Sequence, residues 1–169
     1  MSIAQSLLPE FDMEMAGTRK TLERIPADKF DFRPHPKSFT MIQLATHIAN
    51  MIGWGCDTLK SESFDVAPVG GQPYKEEPVA SVTALLEKFD KGVAEFRNSL
   101  ANSSDADLMT NWSLLAGGNP IFTMPRIACL RGMIFNHLIH HRAQLTVYLR
   151  MNDVPVPALY GPSADEGNM

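Results

Sequence analysis

A chain of 169 residues with 44% apolar and 20% charged side chains can bury one full core, and its composition excludes a disordered polymer. A formal net charge of −4 without a lysine or arginine stripe leaves no electrostatic footprint for a phosphate backbone, so no nucleic-acid partner is expected. Cys56 and Cys129 lie far apart and form no CxxC pair, Met1–Pro9 lacks a secretory signal, and no apolar run approaches the ~18 residues of a membrane span, so a cytoplasmic protein with no membrane partner is expected.

The first helix is predicted from about Ile3 to Arg24, where Leu7, Leu8, Phe11, Met15, Thr18 and Leu22 recur at helical spacing. Pro26, Pro34 and Pro36 make the following segment a connection. A second helix starts near Ser38 or Thr40, either of which can cap it, and buries Met41, Leu44, Ile48, Met51 and Ile52. Gly53 and Gly55 either weaken that helix or admit a close neighbour. Ser61 to Pro78, rich in Gly and Pro, reads as a long crossover. A third helix runs from near Pro78 to about Leu100 on a stripe that includes Leu85, Phe89 and Phe96. Leu108 to Asn119 is ambiguous between a short helix and an irregular excursion. The fourth helix is predicted from Thr123, as N-cap, to about Asn152, and a proline-rich tail follows from Val154. The expected fold is a single all-α domain over residues 1–169, a four-helix bundle with a long crossover between helices 2 and 3.

Five histidines are present, and His137 and His141 stand at i, i+4 on the fourth helix, one turn apart on one face. Such a pair can hold one divalent ion, with zinc or nickel foremost. The residues between them supply no glutamate, so this is not the HExxH of metalloproteases. His47 lies on the second helix among Met41, Leu44, Ile48 and Met51. A histidine in that company needs a partner. It is either a core histidine bonded to a neighbouring helix or the third ligand of a site that keeps one position open. His140 lies about 100° around the helix from His141 and is not expected to share the ion.

The segment Phe135 to Arg150 resembles the last core helix of the DinB-like (damage-inducible) family of metal-binding four-helix bundles. The family pattern His-x-x-x-His-Arg-x-Gln-Leu is met by His137, His141, Arg142, Gln144 and Leu145. The stretch Ser38–Ile48 resembles the approach to the family's first histidine, and the tail Val154–Glu166 the close of many members. Ala143 stands where members often carry glycine. The resemblance implies a four-helix bundle with an atypical connection, a ligand set of His47, His137 and His141, and a homodimer. It also implies kinship with metal-dependent thiol transferases and a thiol-dependent isomerase.

Gln144 and Tyr148, three and seven residues beyond His141, and Gln43 and Asn50, flanking His47, are candidates to line a substrate pocket or to orient an imidazole; simple interhelical contacts are the alternative. Trp54 is a candidate pocket wall, and Arg142 is expected to pair with Asp165 or Glu166 or to remain solvated. By resemblance, the leading expectation is an enzyme that uses its ion to transfer a low-molecular-weight thiol to a small-molecule substrate, with metal-dependent hydrolysis second. The alternatives are a non-catalytic metal-binding or stress-response module, and histidines satisfied by hydrogen bonds alone. No carboxylate base can be assigned from sequence.

Overall fold

The computed structural model describes residues 1–167. Four long helical rods are present: α1 (Ile3–Leu22), α2 (Met41–Lys60), α3 (Val82–Ala101) and a composite rod over residues 126–151. The last comprises α5 (Arg126–Cys129), a π-wound segment (Leu130–Asn136) and α6 (His137–Met151). A short helix, α4 (Asp105–Met109), follows α3. The helix starts follow local chemistry: Ser2 and Thr40 each close a capping box, with Gln5 and Gln43 respectively, and Ser81 accepts from the Ala84 N–H at the head of α3.

The all-α expectation is overturned by a three-stranded mixed sheet. Strand β1 (Ser63–Asp65) pairs parallel with β2 (Asn111–Ala116), and β2 pairs antiparallel with β3 (Asn119–Pro125). The hairpin turns on Gly117 and Gly118, both at positive φ (61° and 78°), the conformation that a two-residue hairpin loop demands and that glycine adopts without steric cost. Asp65 ties this turn to β1 by accepting from the Gly117 and Gly118 N–H groups at 3.1 and 2.7 Å. Thr123 therefore caps no helix. It lies in β3, its hydroxyl 2.7 Å from that of Ser113, and the rod begins at Arg126.

The connectivity also differs. α3 packs against both α1 and α2, and α6 packs against the same two, so α1 and α2 stand on one diagonal of the bundle. The chain crosses that diagonal between α1 and α2, over residues 23–40. The long segment after α2 joins two adjacent helices instead. Its length is spent on β1 and on a loop that covers the open side of α2.

The core is continuous among the four rods and centres on Phe11, Phe96 and Phe135, whose ring centroids lie 5.0 to 6.2 Å apart. Gly55 serves close approach: a Cβ there would stand 2.2 Å from the Phe96 ring, whereas one at Gly53 would meet open space. Arg142 is fully buried with Glu14, at 2.6 Å, and bonds the Thr18 hydroxyl and the Glu14 carbonyl. Tyr160 in the tail donates to the same carboxylate. The acidic tail residues pair with other arginines, Asp165 with Arg150 and Glu166 with Arg24.

Candidate metal centre

α2 and α6 are neighbours, and their facing sides carry His47 and the pair His137 and His141. One ligand atom from each of the three half-buried imidazoles falls within 4.8 Å of the other two. His137 Nε2 and His141 Nε2 are 2.9 Å apart. Tetrahedral coordination with metal–nitrogen bonds of ~2.05 Å needs nitrogen separations of about 3.3 Å, within a few tenths of an ångström of the His137–His141 spacing.

Every Nδ1 in the trio faces an oxygen. His47 Nδ1 lies 3.0 and 3.2 Å from the two Glu76 carboxylate oxygens. His141 Nδ1 is 2.7 Å from Gln144 Oε1, and His137 Nδ1 is 3.3 Å from the Met133 carbonyl. An acceptor beside Nδ1 draws the ring proton there and leaves Nε2 as a bare lone pair. Burial, reinforced by the other histidines, pushes His141 down to about 4 against the Gln144 hydrogen bond, and burial pushes His137 down as well. At neutral pH both rings are neutral, and with each ring proton on Nδ1 the two Nε2 atoms face each other as lone pairs. Two lone pairs 2.9 Å apart are repulsive without a cation, and a divalent ion removes that repulsion. The donor set therefore fits a metal.

The tight turn that closes the π segment contributes to this arrangement. The His137 backbone N–H reaches the Ile134 carbonyl, so the Met133 carbonyl, its partner in an α-turn, is available to the His137 ring. Gln144 fixes its own orientation by donating from Nε2 to His140 Nε2 at 3.1 Å, which turns Oε1 toward His141. His140 thus supports the centre from outside it.

The family model of the DinB superfamily matches residues 10–145. This chain belongs to the DinB superfamily. The DinB chain is similar to a solved DinB-like protein from Bacillus cereus, with 24% identity and a TM-score of 0.72 over 94% of this chain and 98% of that one. A DinB-like protein from Bacillus subtilis is similar at 19% identity and a TM-score of 0.67, over 91% of this chain and 97% of that one. At these identities the likeness carries the fold. No curated protein matches the chain. Among the described residues of this DinB protein, no helix is long and apolar enough to cross a membrane.

A cavity of about 300 Å³ opens beside His47, at the lower end of the range of about 300–1,000 Å³ usual for small-molecule sites. Of the candidates named from sequence, Trp54 walls this cavity, with its ring 5.3 Å from that of His47. Asn50 hydrogen-bonds Glu76, and Gln144 holds His141. Gln43 is engaged in the α2 capping box and borders a smaller hollow with Phe39 and Thr46. Tyr148 is buried against Phe32 and donates to the Phe39 carbonyl at 3.2 Å, away from the cavity.

Sequence reasoning missed Glu76 and Tyr74. Burial alone would raise the Glu76 carboxyl, but hydrogen bonds from His47, Asn50 and Tyr74 outweigh it and hold the group below the usual carboxylate range. Tyr74 accepts from Trp54 Nε1 at 3.2 Å and donates to Glu76 at 3.3 Å, so one chain of hydrogen bonds runs from the cavity wall to His47. Their only sequence signal is an aromatic and an acidic residue inside a Pro/Gly-rich connection, which does not reveal that the loop folds back over α2.

Proposed function

We propose that this DinB protein is a divalent-metal-dependent enzyme that transfers a low-molecular-weight thiol to a small electrophile. The observation that carries the reading is the set of three imidazoles, each held by an oxygen at Nδ1, whose remaining nitrogens converge beside an open cavity. A divalent ion on His47, His137 and His141, with zinc or nickel the leading candidates, supplies Lewis acidity that makes a thiolate available at neutral pH. The rest falls to the chain itself. Glu76, Gln144 and the Met133 carbonyl orient the three rings, and Trp54 and Tyr74 exclude water from the side where the acceptor enters. In the overall reaction a sulfur–carbon bond forms, the leaving group departs with the broken bond's electron pair, and the thiol proton passes to water.

The cavity favours an enzyme over a purely structural metal module, because a metal that only ties α2 to α6 needs no open space beside its ligands. The same reading places the protein in a reducing cytoplasm, where such thiols abound and where Cys56 and Cys129 stay free, and the family resemblance supports a homodimer. The test is direct. Metal-free protein is reloaded with zinc or nickel, and conjugation of cysteine or glutathione to 1-chloro-2,4-dinitrobenzene is followed by absorbance. Turnover is expected with metal and is lost in His141→Ala. Absence of turnover across a broad panel of thiols and electrophiles, in protein shown to carry its metal, would sink the reading.

A further inference from the structure

The cavity beside the histidines has a chemical character of its own. Six aromatic side chains line it: Phe39, Trp54, Phe64, Tyr74, Trp112 and Phe122. They come from the segment just before α2, from α2 itself, from the long connection and from all three strands. The sheet contributes an ordered surface. Phe64 of β1 pairs in register with Leu114 of β2, and Leu114 pairs in register with Phe122 of β3. Residues in register across a sheet project to the same face, so these three form one apolar row across it. Trp112, two residues before Leu114, joins the same face and packs against Phe122 with ring centroids 6.1 Å apart.

The polar edges on the opposite wall are already engaged. Trp54 donates its indole N–H to Tyr74, and Tyr74 donates onward to Glu76, so both residues turn ring faces and edges, not free hydrogen-bonding groups, to the space. The Thr58 hydroxyl is spent on the Trp54 carbonyl. Among the described residues no lysine or arginine lines the cavity, whereas two acidic side chains, Asp57 and Glu76, do. An anionic body would lose its hydration there with no cationic side chain in the lining to compensate.

We propose that the acceptor substrate of this site is a neutral, flat, apolar molecule of aryl type. Its body lies on the Phe64–Leu114–Phe122 row and its reactive end points toward His47. This rests on the metal-dependent thiol-transfer reading and adds the class of acceptor. It assigns the sheet, absent from a plain helical bundle, as the element that chooses the substrate, while α2 and α6 hold the metal.

The protein reports on this cavity without a label, because both of its tryptophans, Trp54 and Trp112, line it. Intrinsic emission is titrated with 4-nitrobenzyl alcohol, a neutral quenching probe, and with 4-nitrobenzoate, its anionic counterpart; calorimetry gives the stoichiometry. Zinc is titrated separately into the same preparation. Saturable one-to-one quenching by the alcohol is expected in metal-free and zinc-loaded protein, with the benzoate bound about tenfold more weakly or worse by the metal-free protein, where no cation can ligate its carboxylate. Phe122→Ala lies on an edge strand and Phe64→Ala on a short one; each is expected to weaken the alcohol about tenfold while zinc affinity is unchanged. That unchanged zinc affinity shows that the variants are folded. Zinc binding without saturable alcohol binding overturns the inference and leaves the metal site standing. Equal binding of the benzoate by the metal-free protein, or indifference to both substitutions, also overturns it. Alcohol binding without zinc binding overturns the metal reading and retains the aryl cavity.

Discussion

Removing Glu76 tests the centre at its least obvious part. Its two carboxylate oxygens stand 3.0 and 3.2 Å from His47 Nδ1, and the side chains of the pair are only 13% and 21% exposed, so solvent screens the contact weakly. A hydrogen bond to a charged group at such a site is worth roughly 1.5–3 kcal/mol, which converts to about 10- to 100-fold in affinity. Loss of a carboxylate behind a metal-bound histidine falls in that same range of about 10- to 100-fold. Glu76→Ala is therefore expected to raise the zinc dissociation constant by about that much. Glu76→Gln keeps an acceptor and loses only the charge, so its effect should stay below about tenfold. Competition against a chromophoric chelator measures both. Nitrogen NMR of the imidazoles adds a second readout, because His47 without its acceptor should no longer hold its proton on Nδ1 alone. Zinc affinity within about twofold of wild type in Glu76→Ala would refute the claim that this carboxylate sets the ring, and with it the assignment of Nε2 as the ligating atom.

Other expectations follow from the packing and the charges. Glu14→Ala strands the buried Arg142 guanidinium and should cost about 3–5 kcal/mol, lowering the melting temperature on the order of 10 °C; a shift within 2 °C, read by circular dichroism, would contradict the buried pairing. Gly55→Ala drives a methyl into the Phe96 ring and should destabilise by about 1–3 kcal/mol in denaturant melts, whereas Gly53→Ala should be neutral or stabilising. In metal-free protein the His141 imidazole sits at about 4, below its ordinary 6.5. A depressed value means that the unfolded chain binds more protons in that interval, so this contribution is whole above pH 6.5 and is lost as pH falls toward 4. Wild type should lose on the order of 2 kcal/mol more than His141→Ala across that interval, and parallel pH profiles would refute it. Chelation should lower the melting temperature of metal-loaded wild type and leave that of His141→Ala unmoved.

The helices were legible because their signals are local. The stripes of α1, α2 and α3 repeat at three and four residues, and Thr40 marks the start of α2. The three histidines were legible for related reasons: His137 and His141 share a face by spacing alone, and His47 is out of place among apolar neighbours. The sheet was not. β1 has three residues, too few for a period, and its parallel partner β2 lies some fifty residues further on. The Gly117-Gly118 pair was a usable hairpin signal, but Thr123 and Pro125 mimic a helix start and masked β3. Glu76 was invisible because its place depends on the path of a connection, not on its neighbours in sequence. The partner of Arg142 was within reach: Glu14 falls between Phe11 and Thr18 on the buried face of α1, where a lone carboxylate demands a cation.

The π-wound stretch from Leu130 to Asn136 constrains how this rod can change over evolutionary time. Upstream of its end, Leu130, Ile134 and Phe135 are locked into the core; downstream, His137 and His141 look across to His47 while Arg142 looks back to Glu14. Substitution leaves that phase intact. A π turn holds about one residue more than an α turn, so a single deletion here can be absorbed by rewinding to α, whereas one elsewhere in the rod would rotate its two halves by about 100° and part either the aromatic core or the histidines from their neighbours. Relatives that keep the three histidines should therefore preserve the length of the rod on either side of this stretch, and a one-residue change in length should fall within it.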